Sequence, residues 1–146
     1  MKLIPLTQGH SAQVDDEDYS QLMQFSWQYK DGYAKRHDGK KVIPMHYDIL
    51  RKAVRVDHKD RNPLNYCKTN LRPCTFAQNM QNKVQPTSKS GFRGVYKFKD
   101  KWQAIITHAN TRVYLGCYSS ANLAAKAYNT AAEKYHGEFA ILNSGV

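Results

Sequence analysis

The chain has 146 residues, of which 41% are hydrophobic and ten are tyrosines, so it has room for one ordinary domain or two small ones and is too apolar to be disordered. Its net charge is +10, and residues 57–146 hold thirteen basic groups against five acidic ones. A basic field of this size attracts polyanions, which makes nucleic acid the expected partner; basic residues kept only for solubility are the alternative.

Three cysteines without a C-x-x-C pair exclude a disulfide framework. No segment has the length of a membrane span and MKLIPLTQGH lacks a signal-peptide core, so we expect a cytoplasmic protein with no membrane partner.

The first region, Met1 to Ala53, has the signals of short strands and helices. A run of acidic residues, Asp15 to Asp18, precedes the apolar Leu22, and negative charge suits the N-terminal end of a helix dipole. Asp31-Gly32 is a favoured two-residue turn between alternating aromatic flanks and predicts a β-hairpin. Pro44 is tolerated in the first turn of a helix, so VIPMHYDILRKAV predicts a short helix near that residue.

The second region, 54–82, predicts the order strand, loop, strand, helix. VRVDH has the pattern of a short strand, a polar loop follows it, and a return strand is expected at 71–72. Thr75 has the side chain of a helix N-cap, and the helix that follows carries Asn79. This layout brings Asp57, at a strand end, against Asn79, one turn into the helix.

The remaining sequence divides into a polar stretch and a regular region. Residues 83–90, KVQPTSKS, are polar and contain a proline, so we interpret them as a linker. Residues 91–146 begin with three short alternating runs, separated by turns at 100–101 and 108–111. These runs predict a three-stranded antiparallel meander.

A helix is expected after the meander, capped by Ser119 or Ser120 and ended by Gly137. Its apolar face is expected to pack on the sheet and consists of Ala124, Ala127, Tyr128, Ala131 and Tyr135. The positions expected in solvent are Lys126, Asn129, Glu133 and Lys134.

Four residues of the second region hold the groups needed to hydrolyse a phosphodiester bond. The carboxylate of Asp57 and the amide oxygen of Asn79 suit a hard divalent ion such as Mg²⁺ or Mn²⁺. The neutral imidazole of His58 can accept the proton of an attacking water. We expect Asn70 to brace the loop and orient His58. An adjacent Asp-His pair alone is usually without function, and it is the spacing to the two asparagines that argues for a site.

The segment VDHKDRNPLNYCKTNLRPCTFAQNMQN resembles the HNH nuclease motif, especially that of phage homing endonucleases. The matching residues are Asp57-His58, Asn70 beside Leu71-Arg72, and Asn79. The resemblance implies a ββα-metal fold and a DNA endonuclease whose products carry a 5′ phosphate and a 3′ hydroxyl. It implies catalytic roles for His58 and Asn70 and metal binding by Asp57 and Asn79.

Three residues near this motif have more than one interpretation. Arg72 can bind phosphate or pair with a nearby carboxylate. His46 lies where relatives of this type have a His followed by Arg, here replaced by Tyr47, and it can support the active site, contact the DNA backbone or be a buried structural histidine. Asn82 can contact phosphate or be an ordinary helix residue.

The C-terminal region has a characteristic pattern of aromatic, glycine and alanine residues. The pattern consists of Arg93-Gly94-Val95, Trp102, Ala104, Ile106, Tyr114-Leu115-Gly116, Tyr118, the helix segment Ala124 to Tyr128, and the ending Gly137 to Asn143. It resembles the DNA-binding domain of the plant ethylene-responsive transcription factors, which also occurs at the C-terminus of phage HNH endonucleases. The resemblance implies three strands and one helix, with the sheet in the major groove of double-stranded DNA.

The resemblance implies DNA-binding roles for several side chains of this sheet. They are Arg93, Trp102, Arg112 and Tyr114, with Lys97, Lys99 and Lys101 adding affinity for the backbone. Trp102 can instead be partly buried in the core. The sequence departs from the plant pattern at Tyr96, Phe98, Ile105 and Thr107, where charged groups are usual. We therefore do not expect the plant-like target sequence.

Together these features predict an α+β protein in which a ββα-metal (HNH) module precedes a three-stranded antiparallel sheet packed on one helix. The predicted domains are 1–82 with the HNH motif at 54–82, the linker 83–90, and the DNA-binding domain 91–146. The predicted function is metal-dependent cleavage of double-stranded DNA, by a monomer if one strand is nicked or a dimer if both are cut together. The alternatives are a non-catalytic DNA-binding or regulatory protein that retains an HNH scaffold, and, less favoured, an RNA-binding or RNA-cleaving module. A phage or mobile-element origin is implied by the pairing of the two resemblances.

Overall fold

The computed structural model describes residues 1–52, 55–83 and 88–146. The chain forms two compact units, Met1–Thr75 and Phe76–Val146. The helix predicted to complete the HNH motif therefore belongs to the second unit, whereas the sequence places the end of the first domain after residue 82. The start of the predicted VRVDH strand and the middle of the predicted linker, 84–87, lie outside the described residues.

Small antiparallel sheets and two short helices make up the described part of the first unit. The strands pair as β1 (Lys2–Pro5) with β2 (Ser11–Val14), β3 (Gln28–Lys30) with β4 (Tyr33–His37) and β4 with β5 (Val42–Pro44), and β6 (Val56–His58) with β7 (Leu71–Pro73). The helices are α1 (Asp16–Leu22) and α2 (Met45–Leu50). Both predicted helices are confirmed, because α1 opens with three acidic residues and Pro44 is the N-cap of α2.

The turn between β3 and β4 follows the sequence prediction closely. Asp31 has φ 54° and Gly32 has φ 87°, and the flanking Lys30 and Tyr33 are paired. A two-residue turn of this kind needs positive φ at both central positions to match the twist of the strands. The predicted hairpin is therefore confirmed.

The core of the first unit gathers apolar side chains from both helices and most strands. They include Ile4, Val14, Leu22, Trp27, Ala34, Met45, Val56, Tyr66 and Leu71. Complete burial of a side chain such as Leu22 contributes roughly 1.5–3 kcal/mol. Tyr66 is buried with its hydroxyl accepting a hydrogen bond from the backbone N–H of Ala34 at 3.0 Å, and burial raises the pKa of that hydroxyl. The hydrogen bond to the Tyr66 hydroxyl therefore links β4 to the loop between β6 and β7.

The N-terminal strand β2 is bound to the same loop by backbone hydrogen bonds. The N–H of Gln13 donates to the carbonyl of Leu64 at 2.8 Å, and the N–H of Tyr66 donates to the carbonyl of Gln13 at 2.7 Å. One turn further on, the backbone N–H of Lys68 donates to the carboxylate of Asp15 at 2.8 Å. The region before residue 54 thus packs against the segment that resembles the HNH motif.

The second unit begins with α3 (Phe76–Asn82) and continues with a sheet and a long helix. The strands are β8 (Val95–Phe98), β9 (Lys101–His108) and β10 (Thr111–Tyr118), in the antiparallel order β10-β9-β8, and the helix is α4 (Ala121–His136). Ser120 caps α4 by accepting a hydrogen bond from the N–H of Leu123 at 3.2 Å, and Gly137 is its C-cap. The meander, the helix and its ends are confirmed, and the mixture of small sheets and helices agrees with the α+β class.

Helix α4 packs its alanine-rich face on the sheet, as predicted, with Ala124, Tyr128 and Ala131 buried. The prediction that Asn129 faces solvent is wrong. Its side-chain amide donates to the carbonyl of Asn143 at 2.9 Å and accepts from the Asn143 N–H at 2.7 Å. This pair fixes the segment after the helix, a contact distant in sequence that helical periodicity does not reveal. No described helix is both long enough and apolar enough to cross a membrane.

Gly94 lies where a side chain cannot be accommodated. Its φ is +71°, and a Cβ atom there would lie 2.2 Å from the Tyr128 ring and 2.6 Å from the carbonyl oxygen of Ile105. We expect Gly94→Ala to lower the free energy of unfolding of the second unit by at least about 2 kcal/mol, from strain and overpacking together. Gly91→Ala is the matched control, because Gly91 has φ +77° but open space around it. Equal losses in denaturant unfolding of the two variants would contradict the steric argument.

Candidate functional site

The hairpin of β6 and β7 brings together three of the residues that the sequence singles out. Its register pairs Asp57 with Arg72 and His58 with Leu71, and all four side chains are buried. The strands are short, and the loop of residues 59–70 that joins them is rich in polar side chains. The predicted strand and return strand are confirmed, and they place Asp57 and His58 at the end where the loop begins.

The carboxylate of Asp57 forms a buried ion pair with Arg72. Both Nε and Nη2 of Arg72 donate to Oδ2 of Asp57, at 2.8 and 2.7 Å. The side chains are only 5% and 8% exposed, so this pair is shielded from water. Of the two interpretations of Arg72, the structure has the carboxylate pair.

His58 lies in an aromatic environment at the end of β6. Its ring contacts Tyr66 edge-on, with the ring centroids 5.2 Å apart, and lies 6.1 Å from the ring of Tyr33. Burial, and to a smaller extent the charge of nearby His46, together lower the pKa of His58 to about 4, while Asp60 and Asp57 oppose the shift. His58 is therefore neutral at physiological pH. A phosphate beside the ring would raise its pKa and make it a stronger base.

The depressed pKa of His58 predicts how stability depends on pH. The unfolded chain, with an ordinary histidine pKa near 6.5, binds the proton before the folded protein does. We therefore expect the metal-free first unit to lose stability as the pH falls from about 6.5 towards about 4. Thermal melts across this range should show the loss in the native protein and much less of it in His58→Gln. Parallel curves for the two proteins would contradict the assignment.

Asn70 braces the loop between the two strands. Its Nδ2 donates to Oδ1 of Asp60 and to the carbonyl of Asn65, both at 2.9 Å, and its Oδ1 accepts from the N–H of Asp60 at 3.0 Å. The N–H of Lys59, next to His58, donates to the carbonyl of Asn70 at 3.0 Å. These bonds agree with the bracing role expected for Asn70.

Asp60 is the residue of this site that sequence reasoning missed. Burial alone would raise its pKa, but hydrogen bonds from Asn65, Asn62 and Asn70 outweigh that effect and hold the pKa below its ordinary value. The Asp60 carboxylate is thus an ionised acceptor at the centre of the loop. The sequence held one indication of this role. An Asp in a polar loop commonly accepts a hydrogen bond from the backbone N–H two residues later, as Asp60 does from Asn62.

The other predicted site residues lie in different places. His46 is half-buried in α2, near enough to His58 to affect its pKa. Asn79 lies in α3 of the second unit, so its pairing with Asp57 stays a prediction. Asn82 is buried in the same helix, which favours its interpretation as a structural residue. Among the residues that the structure describes, no group of three or more His, Cys, Asp or Glu side chains could hold a metal ion.

Three of the predicted DNA-binding residues have contacts within the second unit. The guanidinium of Arg93 donates to the carbonyls of Lys83 at 3.0 Å and Gln81 at 3.2 Å, so it is bonded to the end of α3. Trp102 is half-buried against the α4 core, and Lys97, opposite it in the register, lies with Nζ 4.6 Å from its ring centroid. The predicted residues that are exposed are Lys97, Lys99, Lys101, Arg112 and Tyr114.

Comparison with known proteins gives one informative match. No protein-family model and no solved structure matches the chain. A protein of Acanthamoeba polyphaga mimivirus named "Uncharacterized HNH endonuclease L560" is 36% identical over 93 residues, which is 62% of this chain and 47% of that protein. The chain thus spans about half the length of this curated relative. It is similar over most of its length to a viral protein that bears the name of an HNH endonuclease.

Proposed function

We propose that this protein is a metal-dependent HNH endonuclease that hydrolyses phosphodiester bonds of double-stranded DNA. The observation that carries the proposal is the hairpin of β6 and β7, where a neutral His58 follows Asp57 and the adjoining loop is braced by Asn70. The similarity to a protein named as an HNH endonuclease supports it. The net charge of +10 suits a polyanionic substrate.

In the proposed mechanism His58 is the general base. A neutral imidazole can take the proton of the attacking water, and a positioned base of this kind contributes about 10²- to 10⁴-fold to the rate. The bonds of Asn70 to Asp60 and Asn65 keep the adjoining loop in one conformation, so the ring does not have to be ordered when substrate binds. Tyr66 and Tyr33 limit the positions that the ring can take.

The donor chemistry of Asp57 and Asn79 suits Mg²⁺ or Mn²⁺. Mg²⁺ in nucleic-acid enzymes is commonly held by one or two carboxylates, with water and phosphate oxygens as the other ligands, so a cluster of three protein carboxylates is not required. When bound, the ion would stabilise negative charge at the scissile phosphate. Arg72 holds Asp57 by two hydrogen bonds, and we propose that it neutralises this carboxylate in the metal-free protein.

Further parts of the proposal concern the setting of the reaction. A monomer with one site would nick one strand, and cutting both strands together would require a dimer. The pairing of an HNH motif with a sheet that binds DNA suggests a phage or mobile-element homing endonuclease acting in the host cytoplasm. The basic residues of the second unit would add affinity for the DNA backbone.

The alternative function is a non-catalytic DNA-binding or regulatory protein that retains an HNH scaffold. It is favoured by the Asp57–Arg72 pair, because a carboxylate paired with arginine is less available to a metal ion. Nicking of supercoiled plasmid in Mg²⁺ or Mn²⁺, beside an EDTA control, decides between the two. Metal-dependent nicked or linear product supports the nuclease. Duplex binding in a gel shift without cleavage of plasmid or phage genomic DNA would favour the alternative.

A further inference from the structure

The sheet of the second unit has one face covered by α4 and one face that α4 leaves open. On the second face Tyr96, Ile105 and Thr107 line a cavity that they share with Phe76 and Met80 of α3. The covered face includes Val95, Ala104 and Ile106, which are buried against α4. Because side chains alternate across a strand, the register assigns the intervening residues to the other side. We call this side the open face, and it consists of Tyr96, Phe98, Lys101, Gln103, Ile105, Thr107, Arg112, Tyr114 and Cys117.

Three aromatic rings on the open face are unusually exposed. Tyr96 is 38% exposed, Phe98 is 52% exposed and Tyr114 is 60% exposed. Tyr96 and Phe98 are two residues apart on β8, which spaces their Cα atoms by about 6–7 Å, and Tyr114 lies two strands away on β10. Exposed aromatic rings grouped on one face of a sheet mark an interaction surface rather than a random scatter.

The charges around these rings are almost all positive. Between Val95 and Tyr118 there are four basic residues, and Asp100 is the one acidic residue. Lys101 and Arg112 belong to the open face, and Lys99, in the turn beside it, has its Nζ 5.8 Å from the centroid of the Phe98 ring. The face is therefore complementary to a ligand that has flat apolar groups joined by negative charges.

The bases of an unpaired DNA strand have this chemistry. In a duplex the base faces are stacked on one another and only their edges are accessible, so a groove reader needs hydrogen-bonding side chains. Phe98 and Ile105 on the open face have no hydrogen-bonding group, whereas Lys101, Gln103, Thr107 and Arg112 have one. A single strand presents the base faces themselves, and aromatic side chains bind these faces with little preference for sequence.

We propose that the open face binds single-stranded DNA by stacking bases on Tyr96, Phe98 and Tyr114, while Lys99, Lys101 and Arg112 contact the phosphates. The choice of DNA over RNA rests on the proposed nuclease function. The stacking itself does not, because it follows from the exposed rings and the charges. In the context of that function, the face would hold an unpaired strand of the DNA substrate.

The test is a binding experiment with the full chain in EDTA, where cleavage does not occur. Fluorescence anisotropy measures the affinity for labelled oligo(dT), for a duplex of the same length and for oligo(rU). Each of Tyr96→Ala, Phe98→Ala and Tyr114→Ala is expected to weaken oligo(dT) binding by roughly 5- to 100-fold. These exposed positions should tolerate alanine, which circular dichroism checks. Leu123→Ala is the matched control, since Leu123 is 46% exposed on α4 and the change also leaves the charge unaltered.

The expected result is oligo(dT) binding that the three aromatic variants weaken more than duplex binding and that Leu123→Ala keeps. Two results would overturn the proposal: tighter binding of oligo(rU) than of oligo(dT), or aromatic variants that bind oligo(dT) like the native protein. Oligo(dT) binding by a native protein that does not cleave plasmid in Mg²⁺ or Mn²⁺ would contradict the nuclease and leave this proposal standing.

Discussion

Replacing His58 by alanine should lower the rate of DNA cleavage by roughly 10²- to 10⁴-fold while leaving DNA affinity within a factor of about two. The imidazole is the one neutral base of the hairpin, and its removal takes away the proposed acceptor for the proton of the attacking water. The basic residues proposed to bind phosphate stay in place, so binding should persist. Initial rates of plasmid nicking in Mn²⁺ give the cleavage rate. Gel shifts in Ca²⁺ give the DNA affinity of the same proteins.

The matched control for this variant is His37→Ala. His37 is an exposed histidine of β4 in the same unit. Its Nδ1 accepts a hydrogen bond from the N–H of Gly39 at 2.9 Å. It should cleave at the native rate. A His58→Ala protein that melts normally and cleaves within a few-fold of native would remove His58 from the mechanism and leave the general base unassigned.

Replacing Arg72 by methionine should destabilise the first unit by about 3–5 kcal/mol at neutral pH. The guanidinium donates twice to Asp57, and both side chains are nearly inaccessible to water. Removing Arg72 takes away the two charge-assisted hydrogen bonds that this buried carboxylate accepts from it, which is the costly case for a buried ion pair. Denaturant unfolding followed by Trp27 fluorescence in a Trp102→Phe background reports on this unit alone, because Trp27 and Trp102 are the two tryptophans of the chain.

Two comparisons make the Arg72 measurement specific. Lys35→Met breaks an ion pair with Asp31, whose carboxylate is largely exposed, and should cost far less. The double variant Asp57→Leu/Arg72→Met removes both buried charges and should recover most of the lost stability. If Arg72→Met alone unfolded at the native denaturant concentration, the pair would be contributing little and Asp57 would be readily available to other partners.

The elements that the sequence predicted correctly are those with local causes. Asp31-Gly32 imposes its own turn, the acidic run of α1 favours a helix start, and Ser120 and Gly137 define the ends of α4 through bonds made within a few residues. The turn after β8 was placed one residue late, because Lys99 rather than Lys101 takes the left-handed conformation. Such displacements are small, since neighbouring residues carry nearly equal turn signals.

The parts of the site that the sequence could not give depend on tertiary partners. Periodicity assigns a side chain to a face, but it does not say which distant group its polar end meets. Arg72 meets Asp57, Arg93 meets the carbonyls at the end of α3, and Asn129 meets Asn143. Strand alternation, applied with the observed register, places Trp102 on the side of α4. The roles predicted for Asp57, His58, Asn70 and Asn79 stay predictions until the kinetic measurements are made.

The backbone bonds of Gln13 to Leu64 and Tyr66 bear on how far this protein can be shortened. The segment that resembles the HNH motif is short. Its length alone suggests that it could be transferred to a DNA-binding protein. Yet the loop that carries Asn70 is completed by strand β2, and the Tyr66 hydroxyl that steadies it is bonded to Ala34 in β4. A graft that began at residue 55 would leave these groups without partners. The smallest transferable piece that keeps this hairpin intact therefore starts at the N-terminal strand, and the first fifty residues are part of the unit that holds Asp57 and His58 rather than an addition to it.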